Sequence, residues 1–123
     1  MVRLRRVMGL AAALLMTAGF TTAAAGTAYA ADTCGGQTAG YTAGVKGELR
    51  IYMEGDNYCA MVWHTPAYWG VYLPTAVQIA RKDGALSPQD DGNYRYCAGP
   101  VRIATGGMFG YASAWVNGEH LIA

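Results

Sequence analysis

From residue 31 onward the sequence lacks a helical period, so helical bundles and folds that alternate strands with helices drop out. After the first thirty residues there is no stretch long and apolar enough to span a bilayer. Metal-ligand spacing is missing too: no C-x-x-C occurs, and the two histidines, His64 and His120, stand apart, so neither a metal nor another cofactor is expected. Gly106-Gly107 precedes neither a Lys-Ser/Thr pair nor a helix start, so it is a turn and not a phosphate loop. The nucleophile elbow G-x-S-x-G is absent, and the only serines are Ser87 and Ser113. A basic face is lacking as well. Of nine Lys and Arg, three (Arg3, Arg5, Arg6) lie in the first thirty residues; the six others face eight Asp and Glu, a net charge of about −2. That balance argues against nucleic acid as a partner.

What the sequence does have is a leader. Arg3, Arg5 and Arg6 form a basic start, an apolar run from Val7 to Phe20 follows, and small residues lead to Ala28-Tyr29-Ala30, an A-x-A cleavage site. Residues 1–30 therefore read as a secretory signal peptide; Arg5-Arg6 also fits a twin-arginine signal. The expectation is a secreted protein in a compartment where disulfides persist. Residues 31–123 amount to one small domain. A domain of that size buries only about 60–65% of its unfolded surface and gains from a covalent staple.

Three cysteines, Cys34, Cys59 and Cys97, offer that staple, and an odd number leaves one over. A Cys34–Cys59 bridge would anchor the N-terminal arm and close a loop of about 25 residues, worth about 2–4 kcal/mol. A Cys59–Cys97 bridge would instead join two strands and leave Cys34 on the arm. In either case the odd cysteine is available for a disulfide-linked dimer.

Residues 31–45 (ADTCGGQTAGYTAGV) are rich in Gly, Thr and Ala and read as an irregular arm. From residue 46 to 123 the expectation is a single β domain. Leu49, Ile51 and Met53 alternate with Glu48, Arg50 and Tyr52, which marks a half-buried strand. Glu54-Gly55-Asp56-Asn57 is a turn and Tyr58 to Trp63 the return strand, so 48–63 predicts a hairpin. A loop from His64 to Pro74 follows, then a strand over Ala76 to Arg81 and a polar loop from Lys82 to Gly92. Asn93 to Cys97 and Val101 to Ile103 read as strand segments whose apolar parity slips across Ala98-Gly99-Pro100, which predicts a bulge or kink. Tyr111 to Val116 reads as the last strand, ahead of Asn117-Gly118. Five or six short strands with frequent turns indicate an all-β fold, a small antiparallel β-sandwich or barrel.

The segment Asp91-Gly92-Asn93-Tyr94-Arg95-Tyr96-Cys97-Ala98-Gly99-Pro100-Val101 resembles one in small secreted actinomycete proteins of the spore-associated protein A type. Cys34 just after the leader, the strand start Gly47-Glu48-Leu49 and the pair Tyr58-Cys59 fit the same layout. The chain departs from it at Cys97, where a second aromatic is expected, and at Gly107-Met108-Phe109, where such proteins often carry another cysteine. The resemblance implies a secreted protein of the cell or spore surface with no established enzymatic activity.

For binding, the aromatic loop holds the candidates: Tyr68, Trp69 and Tyr72, with Trp63 beside them. Flat aromatic faces stack on sugar rings and on protein partners, and Pro66 and Pro74 stiffen the loop. Trp63 continues a strand and reads first as a residue closing the core. Among the carboxylates Glu48, Glu54, Asp56, Asp90 and Asp91, no spacing selects the pair, roughly 5–9.5 Å apart, that glycoside hydrolysis needs. His64 has no nucleophile in a catalytic context near it. Three readings follow in order: a non-enzymatic surface protein, a wall-polysaccharide-binding module using Tyr68, Trp69 and Tyr72, and a small secreted hydrolase or inhibitor.

Overall fold

The computed structural model describes residues 32–123; the expected signal peptide lies outside the described residues. Eight strands follow one another: β1 Gln37–Ala43, β2 Gly47–Glu54, β3 Asn57–His64, β4 Leu73–Arg81, β5 Asp90–Tyr94, β6 Cys97–Ala104, β7 Gly110–Val116 and β8 Glu119–Ile122. A 3-10 turn, Pro66–Tyr68, stands between β3 and β4. All pairings are antiparallel. One sheet runs β1-β2-β3-β6 and the other β5-β4-β7-β8. The fold is therefore the all-β sandwich the sequence indicates. Among the described residues no helix is long and apolar enough to cross a membrane.

Alternation makes the core. Leu49 and Ile51 from β2, Ala60 and Val62 from β3, and Val101 from β6 point inward from one sheet. Val77 and Ile79 from β4, Ala112, Ala114 and Val116 from β7, and Leu121 from β8 meet them from the other. Each large aliphatic chain buried this way contributes roughly 1.5–3 kcal/mol. Small alanines opposite branched residues let the two layers approach closely.

The parity slip across Ala98-Gly99-Pro100 is a β-bulge. Ala60 pairs with Val101 and Val62 with Ala98, so Gly99 and Pro100 together face Met61. Gly99 has φ +98°, and a Cβ there would stand 2.7 Å from the Ala60 carbonyl oxygen, so only glycine fits.

Three expectations need correction. The 31–45 arm is not irregular throughout, because residues 37–43 form β1 and pair with β2. Its side chains are mostly exposed, so it carries no apolar alternation; its backbone completes the edge of β2. The strand expected over Asn93 to Cys97 breaks at Arg95-Tyr96, where the chain leaves one sheet for the other. Tyr111 to Val116 is not the last strand. Asn117 (φ +47°) and Gly118 (φ +87°) make the two-residue left-handed turn favoured in hairpins, and β8 returns against β7.

The bridge joins Cys34 to Cys59, the first of the two pairings considered. Beside it, Arg102 Nε donates to Glu54 Oε1 at 2.8 Å and Nη1 to Asp32 Oδ2 at 2.9 Å. The Arg102 guanidinium holds both carboxyls below their ordinary range. The Gly35 N–H also donates to Glu54. The arm is thus tied to the sheet by sulfur, charge and backbone. Cys97, the odd cysteine, is only 9% exposed on β6, so a disulfide-linked dimer through it would require that strand to open.

Candidate binding site

At one end of the sandwich β3 delivers His64, the 3-10 turn reverses the chain, and the Arg95-Tyr96 bend crosses between the sheets. Backbone bonds weld these pieces together. The His64 N–H donates to the Tyr96 carbonyl at 2.7 Å, and the Gly70 N–H to the Arg95 carbonyl at 3.0 Å. Thr65 is held twice: its N–H donates to the Lys46 carbonyl and its hydroxyl to the Val45 carbonyl. A loop this tethered presents its side chains with little ordering left to lose on binding.

Of the three candidates, two reach the surface. Trp69 is 45% and Tyr72 67% exposed. Tyr68, by contrast, packs against the core as a half-buried side chain. The Trp69 indole N–H donates to the His64 carbonyl at 2.7 Å, which fixes the ring, and Tyr96 meets that ring edge to face at 5.9 Å. The Arg95 guanidinium lies 5.4 Å from the Tyr72 ring centroid and 5.8 Å from that of Tyr96. Trp63 lies outside the core; it pairs with Cys97 and is half-buried.

Beneath the loop, His64 is almost wholly buried. The Thr75 hydroxyl lies 2.8 Å from both the Leu73 carbonyl and His64 Nε2, and donating to the carbonyl leaves it to accept from an Nε2 proton. Nδ1 is then a buried acceptor with no hydrogen-bond partner among the described residues. Burial pushes the His64 pKa down, opposed by nearby backbone carbonyls of Tyr68 and Arg95. With a folded pKa below the unfolded value of about 6.5, the unfolded chain binds more protons. His64 therefore contributes stability above about pH 6.5 that is lost as pH falls through its lowered folded pKa. Melting wild type and His64→Gln between pH 7.5 and 5 checks this: the wild type loses stability on acidification, and the variant shows a flatter profile over that range. Equal slopes would contradict it.

Three of the remaining catalytic candidates are spoken for. Ser87 Oγ accepts from the Ile79 N–H and donates to the Pro88 carbonyl. Glu54 belongs to the Arg102 cluster, and Asp90 accepts from Tyr94 and Gly99. Among the described residues, one trio of candidate metal ligands comes together, Cys34, Glu54 and Cys59. Its two sulfurs are bonded to each other and offer no thiolate.

No protein-family model, curated protein or solved structure matches the chain. Its own geometry carries the functional argument.

Sequence reasoning missed Arg95 and Tyr96, which lie about 25 positions from the loop they complete and read as part of a strand. It also missed a slot of about 340 Å³ on the outer face of the second sheet, lined by Pro74, Ala76, Gln89, Asp91 and Trp115 among others. Trp115 there stacks flat on His120, with ring centroids 4.5 Å apart and planes within 4°. The two residues pair directly across the Asn117-Gly118 hairpin. That symmetric spacing about an Asn-Gly turn is the signal that would have brought them together.

Proposed function

We propose that this chain is a secreted, non-enzymatic protein of an actinomycete cell or spore surface, and that it holds wall polysaccharide through the aromatic end of its sandwich. Trp69 and Tyr72 carry this reading. Both stand exposed on a loop fastened to β3 and to the Arg95-Tyr96 bend, and Arg95 lies over the Tyr72 ring. Sugar rings present apolar C–H faces to aromatic planes and hydroxyls to polar groups at their edges, and this end offers both. The Cys34–Cys59 bridge supports an oxidising compartment. The spore-associated protein A resemblance supports a surface role.

Retention on washed wall polysaccharide tests it. Trp69→Ala and Tyr72→Ala are each expected to lower retention about tenfold or more, as a loss of roughly 1.4 kcal/mol from a binding aromatic does. Tyr72→Ala is the cleaner variant, since Trp69 also anchors the loop through the His64 carbonyl. Unchanged melting temperatures would show that the fold is intact. Full retention of both variants, or a native chain found only in the culture medium, would overturn the reading.

A further inference from the structure

The slot on the second sheet is built by cross-strand register. Asp91 on β5 pairs with Ala76 on β4, Ala76 with Trp115 on β7, and Trp115 with His120 on β8. All four side chains therefore stand in one row across the outer face. Neighbouring strands are about 4.8 Å apart, so a ring stacked on its neighbour at 4.5 Å stands upright with its plane along the strands. His120 covers one face of the Trp115 indole. The other face looks across Ala76 toward Asp91. Ala76, with only a methyl group, is the floor that opens the slot.

The chemistry of the walls is unequal. On one side is a flat apolar ring, 38% exposed and braced from behind. On the other is the exposed Asp91 carboxylate, a hydrogen-bond acceptor, and with it in the lining the Gln89 amide. The occupant must therefore be thin, apolar on one face and rich in hydrogen-bond donors at its edge. A quaternary ammonium is better served by several aromatic faces around it, and the slot offers one. The volume of about 340 Å³ lies at the small end of ligand sites, roughly 300–1,000 Å³.

We infer that this slot is a saccharide-binding site, in which one pyranose ring stacks on Trp115 and donates hydroxyl hydrogen bonds to Asp91 and Gln89. It is separate from the aromatic end, so it stands or falls independently of the site proposed there.

The chain's three tryptophans provide separate reporters. The experiment is a two-dimensional NMR titration of the indole N–H signals of Trp63, Trp69 and Trp115, each assigned by its Phe variant. The probes are soluble hexamers of β-1,4-linked glucose and of β-1,4-linked N-acetylglucosamine. Saturable movement of the Trp115 signal with at least one hexamer is the expected result, with at least tenfold weaker binding in Asp91→Ala and persistence in Tyr72→Ala. Movement confined to Trp69 would overturn the slot and leave the aromatic-end reading standing. If neither signal moves with either hexamer, the slot assignment fails, and retention on intact wall decides the other reading alone. Asp91→Ala alters an exposed side chain, so its fold is checked by an unchanged backbone spectrum.

Discussion

Replacing Cys34 and Cys59 together with alanine is expected to cost about 3.5 kcal/mol of unfolding free energy, the chain-entropy value for a loop of this length. The bridge spans 25 positions of sequence and fastens a strand whose side chains are mostly in water. A domain of this size commonly has only about 5–15 kcal/mol in all. The melting temperature should fall by roughly 14–28 °C, at about 4–8 °C per kcal/mol for a domain this small. Urea unfolding of the oxidised protein and the double variant gives the difference directly. Cys97→Ala is the control. It opens no loop and should cost about 1 kcal/mol, as an ordinary buried substitution does. A loss in Cys97→Ala as large as in the double variant would mean that the sulfurs pair otherwise. Amide exchange should also show β1 opening well before β2 in the double variant, because Arg102 and the backbone ladder then hold the arm without the sulfurs.

Asp90→Ala is expected to cost about 2–4 kcal/mol. The carboxylate joins the two sheets: one oxygen accepts from the Tyr94 hydroxyl and the other from the Gly99 N–H at the bulge, at 2.7 Å. Tyr94 reaches back along its own strand by lying over Gly92, where a Cβ would come within 3.2 Å of its ring. Hydrogen bonds to charged groups contribute roughly 1.5–3 kcal/mol each, and partial exposure of this site reduces the sum. A spectroscopic signature accompanies the loss. The Asp90 hydrogen bond, with burial adding to it, pushes the Tyr94 pKa up to about 12. Stability from a raised phenol is complete below about pH 10 and disappears as pH rises through about 12. In Asp90→Ala that alkaline loss should shrink, and one tyrosine should ionise earlier in an ultraviolet absorbance titration. An unchanged titration curve would contradict the role given to Asp90.

Where one face of a strand is buried and the other wet, the sequence states it openly. Leu49 and Ile51 against Glu48 and Arg50 is such a case, and the return strand to Trp63 follows from the turn between them. The bulge at Gly99-Pro100 was legible for the same reason, since a two-fold period cannot change phase without an extra residue. β1 was not legible because neither of its faces is core; backbone pairing makes it a strand, and that leaves no trace in side-chain pattern. β5 reads DDGNY, a run of turn formers, and is a strand because β4 holds it and because Asp90 and Tyr94 turn inward. In the candidate site, Trp69 and Tyr72 could be found from a proline-bounded aromatic run. Tyr68 belongs to the core, which a loop sequence with no strand period cannot reveal. Trp63 was misplaced by one face: Tyr58, Ala60 and Val62 point inward, so its own parity sends it outward.

The fastenings of the first strands lie near the far end of the chain. Glu119 accepts from the N–H groups of Val45 and Lys46, and the Thr42 hydroxyl donates to the Ile122 carbonyl, 80 positions away. Arg102 reaches back 70 positions to Asp32. Folding of such a chain is dominated by late, non-local closures, which places it among slow folders that take milliseconds to seconds. Residues 37–46 are synthesised well before residues 119–122, so these tethers close only once the last strand exists. The last tethers on the N-terminal edge therefore wait for the C-terminal strand, although β1 finds its ladder on β2 well before it.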